Sequence, residues 1–193
     1  MAAELSIARR ELILGGQRSG KSRRGESIAA AWLAGASTHR AVLIATGQAH
    51  DDEMRARIER HRDDRAARLP RLATVEEPFA LGDAIRRHSS VQTLVLVDCL
   101  TLWLTNLLMP RDGARHDAAA IEDAIASLLA ALQAAAGPLV LVGNEIGLGV
   151  IPLGREVREF VDALGRLNQE VAAACERVTL MAAGLPLSLK EAA

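Results

Sequence analysis

The sequence predicts an α/β fold built on a mainly parallel sheet flanked by helices, with an antiparallel edge strand. Three observations carry that expectation. Short β-rich runs alternate with longer helical patterns along the 193 residues. Most of those runs are continuously apolar, as strands buried on both faces are. The first of them, Leu12-Ile13-Leu14, leads straight into Gly15-Gly16-Gln17-Arg18-Ser19-Gly20-Lys21-Ser22, which fits the P-loop pattern at every fixed position.

A strand must precede a P-loop and a helix must follow it. Leu12 to Leu14 supplies the strand, and Ser22 to Leu33 reads as the helix, with Ile28, Ala29, Trp32 and Leu33 at helical spacing. Next come a strand at Ala41 to Ala45, a helix at Asp52 to Arg65, a strand at Leu72 to Val75 and a helix at Phe79 to His88. The apolar run Leu94 to Asp98 is followed by a helix at Leu100 to Leu108 and a solvated loop from Pro110 to His116, where Gly113 sits among charged residues. Beyond it a helix at Asp117 to Ala135 and a strand at Leu139 to Val142 precede the clearest helix, Arg155 to Cys175. Its stripe comprises Val157, Phe160, Val161, Leu164, Leu167 and Val171. Val178 to Ala182 and a weak run at Leu187 to Leu189 close the chain. With no repeat and no linker, residues 1–193 are expected to form a single nucleotide-binding domain.

A composition of 50% hydrophobic and 24% charged residues is that of an ordinary soluble domain with a sizeable core. A net charge of -1 gives no electrostatic footprint for nucleic acid or an anionic membrane. The absence of Tyr, with only two Phe and two Trp, leaves single-strand stacking poorly supplied. Cys99 and Cys175 lack the spacing of a metal site or a disulfide framework and read as small core residues. The apolar run after Met1 to Arg10 is too short for a signal peptide, and no stretch of 18 apolar residues occurs. The expectation is a cytoplasmic protein without membrane insertion.

In open α/β sheets, ligands bind beyond the carboxyl ends of the strands, so residues 15–22, 46–52, 98–101 and 143–149 are where chemistry should sit. Gly15, Gly16, Gln17, Arg18, Ser19 and Gly20 let successive backbone N–H groups face phosphate oxygens. Lys21 can reach the β- and γ-phosphates and the Ser22 hydroxyl can ligate Mg²⁺. The run ending in Asp98 has the form of a Walker B strand, which delivers a carboxylate to Mg²⁺. An Asp capping the next helix is the alternative reading. Gly143-Asn144-Glu145-Ile146-Gly147-Leu148-Gly149 combines a carboxylate, an amide and three glycines. Glu145 could orient a substrate hydroxyl or a metal-bound water, or the segment could be a plain strand-to-helix turn.

The segment Asp52 to Arg65 concentrates five arginines and His61 on one predicted helix. Glu53 with Arg57 is an i,i+4 pair, the mark of a solvated face. Met54, Ile58 and His61 share a stripe, which makes His61 a half-buried packing residue on one reading. On the other, arginines including Arg57 and Arg62 neutralise a polyphosphate while the imidazole attacks phosphorus. His39, His50, His88 and His116 have no comparable setting and read as loop or surface residues.

With these pieces in order, the chain resembles the bifunctional adenosylcobinamide kinase / adenosylcobinamide-phosphate guanylyltransferase family of cobalamin biosynthesis. The resemblance rests on the P-loop octapeptide and on Ile44-Ala45-Thr46 followed by Asp52-Glu53-Met54 and Arg57 to Arg62. It extends through Thr74 to Pro78, Asp98-Cys99-Leu100-Thr101, Thr105 to Leu108, Asn144 to Pro152, Arg158-Glu159-Phe160, Gly165 to Gln169 and Ala183 to Pro186. It implies a RecA-like P-loop enzyme that phosphorylates the aminopropanol hydroxyl of adenosylcobinamide with ATP or GTP. The enzyme then transfers GMP from GTP to that phosphate through a covalent guanylyl-histidine, for which His61 is the matching position. It further implies that Lys21 and Ser22 hold triphosphate and Mg²⁺, that Asp98 closes the metal site, and that the protein is a homo-oligomer, a trimer by expectation. Two other classes compete with it. A P-loop kinase for another small hydroxyl substrate would leave His61 structural, and a RecA-type NTP-driven binding module would need a basic DNA-contacting surface that this composition does not supply.

Overall fold

A computed structural model describes residues 6–49, 52–110 and 117–191; within the helix Asp52–Arg68 it describes the backbone but not the side chains of Glu53, Met54, Arg57, Ile58 and His61. Most of the Pro110 to His116 loop, together with His50 and His116, lies outside the described residues. The elements run β1 (Arg10–Gly15), α1 (Lys21–Gly35), β2 (Arg40–Ala45), α2 (Asp52–Arg68), β3 (Leu72–Glu76), α3 (Leu81–His88), β4 (Thr93–Asp98), α4 (Leu100–Leu108) and α5 (Ala118–Ala134). They continue with β5 (Leu139–Val142), α6 (Arg155–Ala174), β6 (Arg177–Ala182) and β7 (Leu185–Lys190).

All seven strands form one sheet in the order β3-β2-β4-β5-β1-β6-β7. Every neighbouring pair is parallel except β6 with β7, which is the antiparallel edge. Side chains alternate across the sheet and divide the core in two. Leu12, Leu14, Val95, Val97, Leu139 and Leu141 face one layer, covered by α3, α4, α5 and α6. Ile13, Leu43, Leu94, Leu96, Val140 and Val142 face the other, which α1 covers with Ile28, Ala29 and Leu33. Both cysteines are buried and unpaired by any disulfide, as the sequence suggested.

The layer beneath α1 also holds a charge cluster. Glu11, only 1% exposed, accepts from Arg24 of α1 at 3.2 Å and from the Thr179 hydroxyl at 2.9 Å, and pairs with Arg177 at 3.4 Å. The carboxylate thereby fastens the first turns of α1 to β1 and β6. A second set of ion pairs joins the helices: Glu26 of α1 meets Arg65 at 3.4 Å and Arg68 at 3.0 Å, both on α2.

The start of α3, the extent of β7 and the burial along α6 differ from the sequence reading. Helix α3 begins at Leu81 rather than Phe79, because the Glu77 carboxylate takes the N–H groups of Phe79 and Ala80 at 3.1 and 2.9 Å and holds them in a turn. Strand β7 is a full six residues where only a weak run was readable; it is exposed throughout, so no buried pattern marks it. In α6 the apolar stripe buries Leu164, Leu167 and Val171, but its first member, Val157, stays 49% exposed. Asp117 caps α5 by accepting from the Ala120 N–H at 2.6 Å. His39 stacks on Trp32 with ring centroids 3.7 Å apart.

Helices α3 and α5 meet at Gly82, where an added Cβ would lie 2.6 Å from Ser127 Oγ and 2.8 Å from the Ser127 carbonyl oxygen. Gly82→Ala should therefore overpack this contact by about 1–3 kcal/mol, offset by at most about 1 kcal/mol of helix propensity. A urea midpoint at or above wild type would refute the close approach.

Candidate functional site

The loop between β1 and α1 needs backbone shapes that only part of its sequence announces. Gly15 has φ 152°, and a Cβ there would lie 2.5 Å from the Met181 carbonyl oxygen; Gly20 has φ 100°. Arg18 also enters the left-handed region, at φ 58°, which no pattern position demands. The turn is closed by Ser19 N–H to Gly16 O at 3.3 Å and is tied to the β6–β7 turn by Gly184 N–H to Ser19 O at 3.1 Å. Gly20 occupies the N-cap of α1 and no side chain caps it, so the positive end of the helix faces the loop.

Lys21 is 8% exposed and its Nζ donates to the Gly16 carbonyl at 2.6 Å, folded over the loop it would share with phosphates. Ser22 is half-buried on the same turn, while Gly16, Gln17 and Arg18 are exposed. The Ser19 hydroxyl is buried and without a hydrogen-bond partner among the described residues, a donor left over inside a phosphate-type loop.

Because β5 lies between β1 and β4, the ends of these three strands sit side by side. Asp98 closes β4, half-buried, in register with Val142 of β5 and Ala45 of β2. It does not cap the next helix: the cap position of α4 is Cys99, with no side-chain cap bond. A buried framework holds this corner. Thr46 Oγ1 donates to Cys99 O at 2.7 Å and accepts from Cys99 N–H at 2.9 Å. Asn106 Nδ2 donates to Thr46 O at 2.8 Å and Pro78 O at 3.1 Å, joining α4 to the ends of β2 and the turn before α3.

The segment after β5 is held as firmly. Gly143 N–H donates to Ile13 O at 2.9 Å and Glu145 N–H to Gly15 O at 3.1 Å. Asn144 N–H donates to the Thr101 hydroxyl at 2.8 Å, and Asn168 Nδ2 donates to Asn144 O at 3.1 Å. Glu145 is half-buried and spends one oxygen on the Gly147 N–H at 2.8 Å.

The Arg-rich segment forms α2, as expected, but the side chains of His61 and Arg57 lie outside the described residues. Arg62 is exposed and reaches Glu76 at the end of β3, 3.5 Å away. The structure therefore brings Gly15 to Ser22, Asp98 and the Asn144-Glu145 pair to one edge of the sheet, with α2 beside α1 through the Glu26 pairs. Thr46, Thr101, Asn106 and Asn168 were not singled out from sequence. Position just past a strand marked Thr46 and Thr101, and the two asparagines stood out by polarity on otherwise apolar helix faces and by falling in the segments Thr105 to Leu108 and Gly165 to Gln169.

Burial pushes the Cys99 thiol from its ordinary 9.0 up to about 11; the adjacent Asp98 charge adds to the rise and the Lys21 ammonium opposes it. Burial likewise pushes Cys175 up to about 12. Neither thiol is a nucleophile near neutrality. No cluster of three or more His, Cys, Asp or Glu able to hold a metal occurs among the described residues. A Mg²⁺ carried by nucleotide phosphates needs only one or two protein ligands, which Ser22 and Asp98 could supply.

Residues 11–189 match the family model for cobinamide kinase / cobinamide phosphate guanyltransferase. The chain is 48% identical over 181 residues to the bifunctional adenosylcobalamin biosynthesis protein CobP of Pseudomonas aeruginosa, covering 94% of this chain and 97% of that one. It is 40% identical over 187 residues to the bifunctional adenosylcobalamin biosynthesis protein CobU of Escherichia coli, covering 93% and 98%. Among solved structures, the flagellar accessory protein FlaH from Methanocaldococcus jannaschii superposes with a TM-score of 0.53 at 10% identity, over 96% of this chain and 80% of that one. That likeness is one of fold.

Thr46→Val should strand the Cys99 peptide groups and cost about 1–3 kcal/mol, read from denaturant midpoints; a neutral result would mean that water replaces the hydroxyl. Raised thiol values in the folded chain mean that the unfolded chain releases these protons first. Stability contributed by the two cysteines should be complete below pH 9.0 and decline as pH rises toward about 11 and about 12. A thiol reagent at pH 8 should find neither cysteine until the chain unfolds, and reaction with the native protein would contradict the burial.

Proposed function

This chain belongs to the cobinamide kinase / cobinamide phosphate guanyltransferase family, and we propose that it phosphorylates adenosylcobinamide with ATP or GTP and then transfers GMP from GTP to the product. The observation that carries the proposal is the level at which α1 and α2 meet. Both helices follow parallel strands and cover the same side of the sheet, so they run in the same direction. The Glu26–Arg65 pair joins them. Ser22 lies one turn N-terminal of Glu26 on α1 and His61 one turn N-terminal of Arg65 on α2, and this offset from the shared ion pair supports the reading of His61 as the nucleophile.

In the first reaction the Lys21 ammonium and the N–H groups of the loop bind the β- and γ-phosphates. The aminopropanol hydroxyl oxygen bonds to the γ-phosphorus as the bond from that phosphorus to the β–γ bridging oxygen breaks. The electron pair leaves with the nucleoside diphosphate and the hydroxyl proton passes to water. This chemistry asks mainly for positioning and charge neutralisation. Ser22 and Asp98 would hold Mg²⁺, which when bound would neutralise charge on the phosphates. Glu145 contributes to the kinase step; its N–H bonds to Gly15 O and its carboxylate accepts from the Gly147 N–H.

In the second reaction an imidazole nitrogen of His61 bonds to the α-phosphorus of GTP as pyrophosphate leaves, giving a phosphoramidate. A phosphate oxygen of adenosylcobinamide phosphate then attacks the same phosphorus. The P–N bond breaks, His61 is regenerated and adenosylcobinamide-GDP forms. Arg57 and Arg62 serve to neutralise the phosphates.

The same reading takes the protein to be a single-domain cytoplasmic homotrimer. Its support is an apolar surface beside the site: Leu148, Val150, Ile151 and Leu153 are exposed, as are Leu185, Leu187 and Leu189 on edge strand β7. Among the described residues no helix is long and apolar enough to cross a membrane.

Incubation with α-labelled GTP should leave an acid-labile label on the wild-type chain and none on His61→Ala, while His61→Ala still phosphorylates adenosylcobinamide. Lys21→Ala should lose both activities by about 10²-fold or more. Labelling of His61→Ala would place the nucleophile elsewhere, and a wild-type chain that is never labelled would sink the guanylyl-histidine.

A further inference from the structure

We propose that the side-chain amide of Asn144 contacts the transferring γ-phosphoryl group, donating from Nδ2, and that Thr101 and Asn168 are positioning residues that hold it there. The proposal rests on the kinase reading above and gives a role to Asn144, which the sequence placed as one member of the segment 143–149.

The hydrogen-bond ladder continues past the end of β5. Gly143 N–H to Ile13 O and Glu145 N–H to Gly15 O are bonds two residues apart on both strands. That spacing continues the parallel pairing of β1 with β5 into the P-loop itself. Residues 143–145 are therefore extended, and their side chains alternate. Val140 and Val142 face α1, whereas Leu139 and Leu141 face the opposite layer. Gly143 follows the second set, since a Cβ there would meet Leu14 Cδ2 at 3.2 Å and Asn168 Oδ1 at 3.3 Å. Asn144 then falls on the α1 face and Glu145 on the opposite one.

The same count on β4 puts Leu94, Leu96 and Asp98 on the α1 face. Asp98 and Asn144 thus occupy the ends of adjacent strands on one side of the sheet, beneath the helix that begins with Lys21 and Ser22. Helix α1 lies over these strands: a Cβ on Gly25 would meet Leu96 and Val142. The register selects the amide over its carboxylate neighbour, and the charge agrees, because N–H groups attract phosphoryl oxygens and a carboxylate repels them.

Asn144 is also held as a positioned group should be. Its N–H and C=O are both engaged, by Thr101 and by Asn168, and both of these side chains are buried. Its own amide is half-buried and makes no hydrogen bond among the described residues. A fixed backbone with an uncommitted amide is what preorganised stabilisation needs. During transfer the substrate oxygen bonds to the γ-phosphorus, the bond to the β–γ bridging oxygen breaks, the electron pair leaves with the diphosphate and the proton goes to water. Asn144 forms no covalent bond; its N–H groups stabilise charge on the equatorial oxygens.

The test compares γ-phosphoryl transfer to adenosylcobinamide with α-labelling by GTP in wild type, Asn144→Ala and Asn144→Asp. The aspartate variant keeps the shape and removes the donors, and thermal melts check folding. Expected is a fall in kcat of about 10²–10³-fold with KM for nucleotide within about threefold, larger for the aspartate variant, and a far smaller loss of α-labelling. Thr101→Val should lower kcat about tenfold at unchanged nucleotide KM, and Thr101→Ser should restore it. A kcat within about threefold of wild type in both Asn144 variants overturns the proposal, as does a parallel fall of both activities that follows nucleotide KM. Wild-type protein that fails to phosphorylate adenosylcobinamide overturns the kinase reading and the proposal with it, and is distinguished because every chain then fails alike.

Discussion

Everything at this site depends on the parallel pairing of β5 between β1 and β4. Parallel strands end on the same edge, so a single register decides which side chains meet beyond it. Here that register places the P-loop, Asp98 and Asn144 within one corner and sends Gly143 and Glu145 to the other face. A slip of one residue in β5 would exchange the amide and the carboxylate. The chain invests accordingly in fixing the strand ends. Thr46 ties β2 to the Cys99 peptide, Asn106 ties α4 to Thr46, and Thr101 and Asn168 grip the Asn144 peptide from α4 and α6.

The P-loop helix is secured from below by a different device. Glu11 is buried in β1 with Arg24 on one side and Arg177 and Thr179 on the other. A buried ion pair returns little net stability once desolvation is counted, but removing one partner leaves the other charge uncompensated. Its effect here is directional. An apolar contact would tolerate rotation of α1, whereas a carboxylate shared by two guanidinium groups and a hydroxyl fixes where the first turn of the helix lies. Lys21 and Ser22 open that turn.

How much of this was legible in the sequence follows from the range of the interactions. The P-loop was readable because its constraints are local: a tight turn, two glycines at positive φ, a lysine at a helix start. The buried strands were readable because both faces are apolar. Edge strand β7 was faint, since exposed residues carry no periodic signal, and the start of α3 was displaced by one carboxylate, Glu77. Thr46, Asn106, Thr101 and Asn168 act on residues 24 to 60 positions away. No spacing rule sees such partners. The choice between Asn144 and Glu145 illustrates the limit: both lie just past a strand, the carboxylate draws attention as the more reactive type, and only the continued ladder assigns their faces.

On the proposed reading one grip serves two attacks, and the fold separates them in space. The α-phosphorus and the γ-phosphorus lie toward opposite ends of a bound triphosphate, so a group that assists one attack from a fixed position assists the other poorly. On that reading α2, tied to α1 by the Glu26 pairs, carries the nucleophile His61. The tip of β5 approaches from the sheet, between the P-loop and Asp98. Such an arrangement lets either partner group be lost without dismantling the grip, because Glu11 and the Thr46 framework hold the loop and Asp98 independently of both.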